Sequence, residues 1–138
     1  PWRSQRLARQ PVSLIAAPHL SPPPAFPKGL NGHAFILPGV ENATRHAFDQ
    51  LCSHYRLTPK IAAEVDDMAM MRLLARDTQH IAVMPPVVVR DELHNGTLKD
   101  YGALPGVWEE FYAITIQRRF ESPSLKALLT RSGESLLD

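Results

Sequence analysis

Three short, largely apolar runs, at residues 34–37 (AFIL), 60–65 (KIAAEV) and 81–84 (IAVM), are separated by stretches long enough for one helix each. That alternation restricts the fold more than any other feature of the chain. Runs of this length and composition read as short strands. Strands separated by single helices imply right-handed crossovers in a parallel sheet. The expected fold class is therefore α/β, a small doubly wound, mostly parallel sheet flanked by helices.

The intervening segments carry helix signals. Ala43, Ala47, Phe48, Leu51, Cys52 and Tyr55 recur at steps of three and four and predict one apolar stripe, with Asn42 as N-cap. Asp66 or Asp67 is expected to cap a second helix, through about Ala75, that carries Met68, Met71 and Leu74. Pro85-Pro86 opens a short helix around residues 87–93, which Asn95-Gly96 closes. Ahead of this unit, Val12 to Ala17 (VSLIAA) reads as a buried strand, and the five prolines between Pro18 and Pro27 read as an extended linker. After it, Thr97 to Tyr101 is expected as an edge strand and Phe111 to Gln117 (FYAITIQ) as a strong β-branched and aromatic strand. Ser122-Pro123 then starts a last helix with Leu125, Leu128 and Leu129 turned inward.

Composition removes several classes of function. With 44% hydrophobic and 21% charged residues in 138, the chain suits one ordinary globular domain. No apolar run approaches the roughly 20 residues needed to cross a bilayer, and nothing resembles a signal peptide, so a membrane partner is not expected and the expected location is the cytoplasm. A net charge of +1 argues against a strong polyanion-binding surface, and Arg3, Arg6 and Arg9 read as a solvated or partner-facing segment. Cys52 is the single cysteine, which excludes an internal disulfide; on a helical face it is expected as a small buried apolar group. The six histidines, at 19, 33, 46, 54, 80 and 94, show neither an i,i+4 pair nor an HExxH motif. With no GxSxG elbow, GxGxxG or P-loop either, no catalytic residue, metal or cofactor is expected.

In an open α/β sheet, ligands settle outside the carboxyl ends of the strands, where loops and helix N-termini converge. Three segments meet that description: Pro38 to Thr44, Asp66 to Met68, and Met84 to Pro86. The expected effector contacts are Gly39, Asn42, Thr44, Asp66, Asp67 and Met68. An anionic effector would use the unpaired amides of the helix start and the Thr44 hydroxyl. A cation would use Asp66 and Asp67, with Glu64 on the same strand face as Asp66. Ordinary helix capping explains the same residues without any ligand.

Three stretches together resemble the effector domain of LysR-type transcriptional regulators. They are Ile61 to Pro85 (IAAEVDDMAMMRLLARDTQHIAVMP), Val87 to Leu98 (VVVRDELHNGTL) and Glu110 to Leu129 (EFYAITIQRRFESPSLKALL). The resemblance implies a periplasmic-binding-protein-like pair of subdomains, joined by crossing strands, that clamp a small-molecule or ion effector. On that basis residues 1–17 would end regulatory subdomain I and supply a crossing strand, residues 18–112 would form subdomain II, and residues 113–138 would return to subdomain I. The chain lacks an initial methionine and is expected to start inside a larger protein, whose N-terminal winged helix-turn-helix would hold the DNA. Self-association is expected, as such domains pair side by side. EVDDMAMMRLLARD and EFYAITIQRRF resemble a subgroup of activators that respond to sodium and alkaline pH and control sodium/proton antiporter expression. Asp77-Thr78-Gln79-His80 departs from the family's glycine-rich turn, which implies a polar contact there instead. A periplasmic-type solute-binding domain shares the architecture and is the alternative.

Overall fold

In the computed structural model, residues 2–116 are described, with side chains over residues 8–111. The chain divides into two compact units, residues 11–108 and residues 1–10 with 109–138. The first of these is described below.

The three apolar runs form β2 (Ala34–Leu37), β3 (Lys60–Glu64) and β4 (Ile81–Met84). β1 (Trp2–Ala16) precedes them, and β5 (Lys99–Ile116) follows. The sheet order is β3-β2-β4-β1-β5. β2 pairs in parallel with β3, Leu37 lying opposite Glu64, and with β4, Phe35 lying opposite Ile81. β1 pairs antiparallel to β4, with Ser13 opposite Met84. The sheet is thus mixed, parallel in the middle with an antiparallel addition. Because β1 and β2 run in opposite directions, their connection needs no covering helix, and a single 3₁₀ turn at Lys28–Leu30 suffices.

From β2 the chain passes through α1 (Ala43–His54) to β3 on one side, then through α2 (Met68–Asp77) to β4 on the other. Two right-handed crossovers in opposite directions must place their helices on opposite faces, and the core divides accordingly. Val12, Leu14, Phe35, Leu37, Ile81 and Val83 pack with Phe48 and Cys52 of α1. The alternate residues Ile15, Ile36, Ala82 and Met84 pack with Met71 and Ala75 of α2. This period of two across three strands is what strands buried on both faces require. Cys52 sits within the first cluster; burial, with a smaller contribution from Asp49, pushes its thiol pKa up to about 11.

Three expectations change. The proline-rich segment is not a free linker: Leu20 and Phe26 pack against the first cluster, and the Tyr101 hydroxyl donates to Ala17 O at 2.6 Å and accepts from Leu20 N. The two late strands are one continuous β5, since Gly102 and Gly106, at φ 123° and 73°, absorb the irregularity around Pro105 inside the strand. The apolar stripe of α1 holds at Ala47, Phe48, Leu51 and Cys52 and changes at its ends, where the first turn buries Thr44 and Arg45 and Tyr55 is exposed. The helix expected after Ser122 lies outside the described residues.

After β4, a 3₁₀ turn (Pro86–Val89) leads into α3 (Arg90–Asn95), which ends on Gly96 in the left-handed region. Glu92, in its first turn, is buried and accepts a hydrogen bond from Arg72 Nε, with Arg76 Nη1 at 3.9 Å. Burial is the largest single influence on its carboxyl and raises the pKa. The hydrogen bonds from Arg72 and its own backbone N–H, with the charges of Arg72 and Arg76, turn the net shift downward. A carboxylate whose pKa is lowered by folding stabilises the fold above its unfolded pKa and loses that contribution as the pH falls through the folded value. Glu92→Gln is therefore expected to be less stable than wild type at pH 7. In urea titrations the difference should shrink once the pH drops below the ordinary glutamate value of about 4.3; a gap that widens on acidification would contradict this account.

Candidate functional site at the carboxyl edge of the parallel strands

β2 and β4 are neighbours whose exits diverge, the chain leaving β2 for α1 and β4 for the turn that precedes α3. That divergence marks the crevice at which an α/β sheet receives ligands. On the β4 side, Met84 and Pro85 are buried and form wall. The accessible polar groups come from the loops after β2 and β3.

These two loops are tied together. Val65 N donates to Leu37 O at 2.8 Å, extending the ladder, and Gly39 N donates to Asp66 Oδ1 at 2.9 Å. The approach is close enough that a Cβ on Gly39 would lie 2.8 Å from Asp66 Oδ2. Asn42 N donates to Gly39 O at 3.0 Å, and the Asn42 side chain caps α1 by accepting from Thr44 N at 2.7 Å and Arg45 N at 3.3 Å. Asp67, not Asp66, caps α2, accepting from Ala69 N and Met70 N. His46 Nε2 lies 2.7 Å from the carbonyl of Val40, a side chain that stands well out into solvent.

Behind this edge lies Arg45, which is only 5% exposed although charged. Its Nη1 donates to Pro38 O at 2.9 Å and to Glu64 Oε2 at 2.6 Å, and its Nε donates to the Asp49 carboxylate. Burial acts most strongly on the guanidinium and works against its charge; the bonds to Glu64 and Asp49 outweigh it, so the pKa stays above its usual value. Arg45 thereby fastens the end of β2 to the end of β3.

Of the six expected contacts, the structure brings Gly39, Asn42 and Asp66 into direct hydrogen-bonded contact. Asp67 stands beside Asp66 but is occupied in capping. Thr44 is buried, and its hydroxyl donates to Trp108 O at 3.1 Å. Met68 is half-buried and packs against the second core cluster. Sequence reasoning missed Arg45. The signal was present, because Arg45, Phe48 and Cys52 share one face and Asp49 follows at i+4. Among the described residues, no group of three or more His, Cys, Asp or Glu side chains is placed to hold a metal ion.

A two-faced α/β sheet whose parallel strands end in loops at a topological switch point has the architecture at which α/β folds receive ligands. Residues 1–136 match the family model described as the LysR substrate binding domain, and the chain belongs to that family. This membership separates it from the solute-binding alternative. It is similar to the transcriptional activator protein NhaR of Escherichia coli K12, with 26% identity over 118 residues, 84% of this chain and 39% of NhaR. Among solved structures it resembles the effector domain of the regulator AmpR of Pseudomonas aeruginosa, with TM-score 0.71, 15% identity, and coverage of 96% of this chain and 64% of that one. It also resembles the effector-binding domain of QuiR in complex with shikimate, with TM-score 0.66, 18% identity, and coverage of 96% and 66%. The chain thus spans about two fifths of the curated relative it matches.

Replacing Asn42 by Ala removes the acceptor for two α1 amides and is expected to cost about 1 kcal/mol of stability, whereas Asn42→Asp restores most of it. Gly39→Ala should also destabilise by forcing Asp66 away, and Asp66→Gly in the same chain should relieve that cost. Chemical denaturation of the four variants checks both effects.

Proposed function

We propose that this chain is the effector-sensing portion of a LysR-type transcriptional regulator, with residues 11–108 corresponding to regulatory subdomain II. The effector sits at the carboxyl edge of the parallel strands against Gly39, Asn42, Asp66 and Asp67, with Thr44 behind the loop and Met68 forming part of the wall. The observation that carries this reading is the hydrogen-bonded junction of the two loops at Gly39 and Asp66, at the carboxyl end of β2, where the exits of β2 and β4 diverge. DNA contact belongs to a winged helix-turn-helix elsewhere in the regulator, which acts in the cytoplasm and carries out no catalysis. No helix among the described residues is long and apolar enough to cross a membrane.

The geometry bears on what the effector is. The helix-start amides of α1 and α2 are supplied with acceptors by Asn42 and Asp67, which leaves fewer donors for an anion. The exposed groups at the edge are the carboxylates of Asp66 and Asp67, so an effector that presents hydrogen-bond donors or positive charge fits better. The small molecule bound by QuiR supports a small effector, and the similarity to NhaR supports a sodium or proton signal.

In the full regulator, a promoter reporter should show a reduced response to sodium or alkaline pH for Asp66→Asn combined with Asp67→Asn, at unchanged protein level. Each charge-assisted hydrogen bond lost corresponds to roughly 1.5–3 kcal/mol of effector affinity. An unchanged response in that double variant removes the site assignment.

Self-association belongs to the same proposal. β3 lies at the end of the sheet and exposes Ile61, with Met70 and Leu73 of α2 also exposed. Sedimentation is expected to show assembly that Ile61→Lys weakens; a strictly monomeric wild-type profile at high concentration speaks against it.

A further inference from the structure

Thr44 and Arg45 are consecutive in the first turn of α1, and both are almost fully buried, at 4% and 5% exposure. Their side chains serve different strands. Arg45 holds the ends of β2 and β3, whereas the Thr44 hydroxyl reaches Trp108 on β5, 64 residues along the chain. In the sheet, β4 and β1 stand between β2 and β5, so no backbone ladder links these strands directly.

A hydroxyl has one proton to donate. That of Thr44 is directed to Trp108 O, so Thr44 does not offer it to an effector. What Thr44 does complete is a string of hydrogen bonds. Gly39 N donates to Asp66 Oδ1 at 2.9 Å, Asn42 N to Gly39 O at 3.0 Å, Thr44 N to Asn42 Oδ1 at 2.7 Å, and Thr44 Oγ1 to Trp108 O at 3.1 Å. One end of the string is an exposed carboxylate at the candidate effector edge. The other is a carbonyl on β5, at the last residue of the 11–108 unit. Just before it, Leu104 and Val107 are anchored in the first core cluster, and Gly106 adopts φ 73°. The backbone at Trp108 therefore lies between a packed anchor and the point where β5 leaves the unit.

We infer that Thr44 is a positioning residue that couples the Asp66–Gly39 junction to strand β5 at Trp108, through the Asp66, Gly39, Asn42, Thr44 string. Its use as a signal rests on the effector reading given above; the coupling itself does not. Energetic coupling between separated elements is carried by contiguous packed and hydrogen-bonded groups, and is demonstrated by removing one link and reading the effect at the far end.

The test is hydrogen exchange, read by mass spectrometry on peptides covering residues 107–111 of the full-length regulator without added effector. Thr44→Val keeps the shape and removes the donor, and is expected to raise exchange there by about three- to tenfold, the worth of one net hydrogen bond. Thr44→Ser keeps the donor and should exchange like wild type. Asp66→Ala, at the far end of the string, should raise exchange in the same peptides. Unchanged exchange in Thr44→Val overturns the role of Thr44, and a rise in Thr44→Val without one in Asp66→Ala overturns the relay. Because no effector enters these measurements, their failure is distinct from a failure of the reporter experiment, which leaves the relay standing.

Discussion

The middle of this sheet has no polar face. β2, β4 and the inner part of β1 put side chains of the core on both sides, Phe35 and Leu37 on one and Ile36 on the other, so both faces must be roofed. One helix cannot do this, and two crossovers in opposite directions, α1 from β2 to β3 and α2 from β3 back over to β4, can. The switch point at the carboxyl edge is the geometric residue of that solution, because helices assigned to opposite faces must part company where their strands end. The switch point at which α/β folds receive ligands thus arises from the burial of apolar strands, before any polar residue is considered.

Polar residues then decide how firmly that edge is held. Arg45 is a cation in the first turn of a helix, where the backbone dipole disfavours positive charge, and it is removed from water as well. Both costs are met by Glu64, Asp49 and the Pro38 carbonyl, each from a different part of the chain. The same guanidinium that would be a liability alone becomes the peg on which the ends of two strands hang. Asn42 and Asp67 meanwhile spend their side chains on the helix starts, so that the edge presents carboxylate more than amide to anything that enters.

Local features were legible in the sequence and distant ones were not. The bounds of β2 and β4 could be read because apolar runs stop at Pro38-Gly39 and Pro85-Pro86, and both caps follow from the residue types that precede the helices. β5 was expected as two pieces, since glycine and proline at 102–106 imitate punctuation when seen without the neighbouring strand. The segment at 18–27 looked detached because what secures it, the Tyr101 hydroxyl, lies more than 80 positions away. Arg45 escaped because a charge on a helix is ordinarily solvated: its i+4 partner Asp49 is visible in the sequence, but Glu64 and the Pro38 carbonyl meet it only in the folded chain. The donor from Thr44 to Trp108 has no local signature at all.

The only cysteine offers a natural gauge of breathing in this fold. Cys52 is 4% exposed, and its thiol, pushed up to about 11, is almost entirely in the unreactive neutral form at pH 7. An alkylating reagent can therefore reach a competent thiolate only when the second half of α1 lifts from the sheet. The labelling rate counts those openings in the unmodified protein, one event per modified molecule, at a position on the same helix whose first turn holds Arg45.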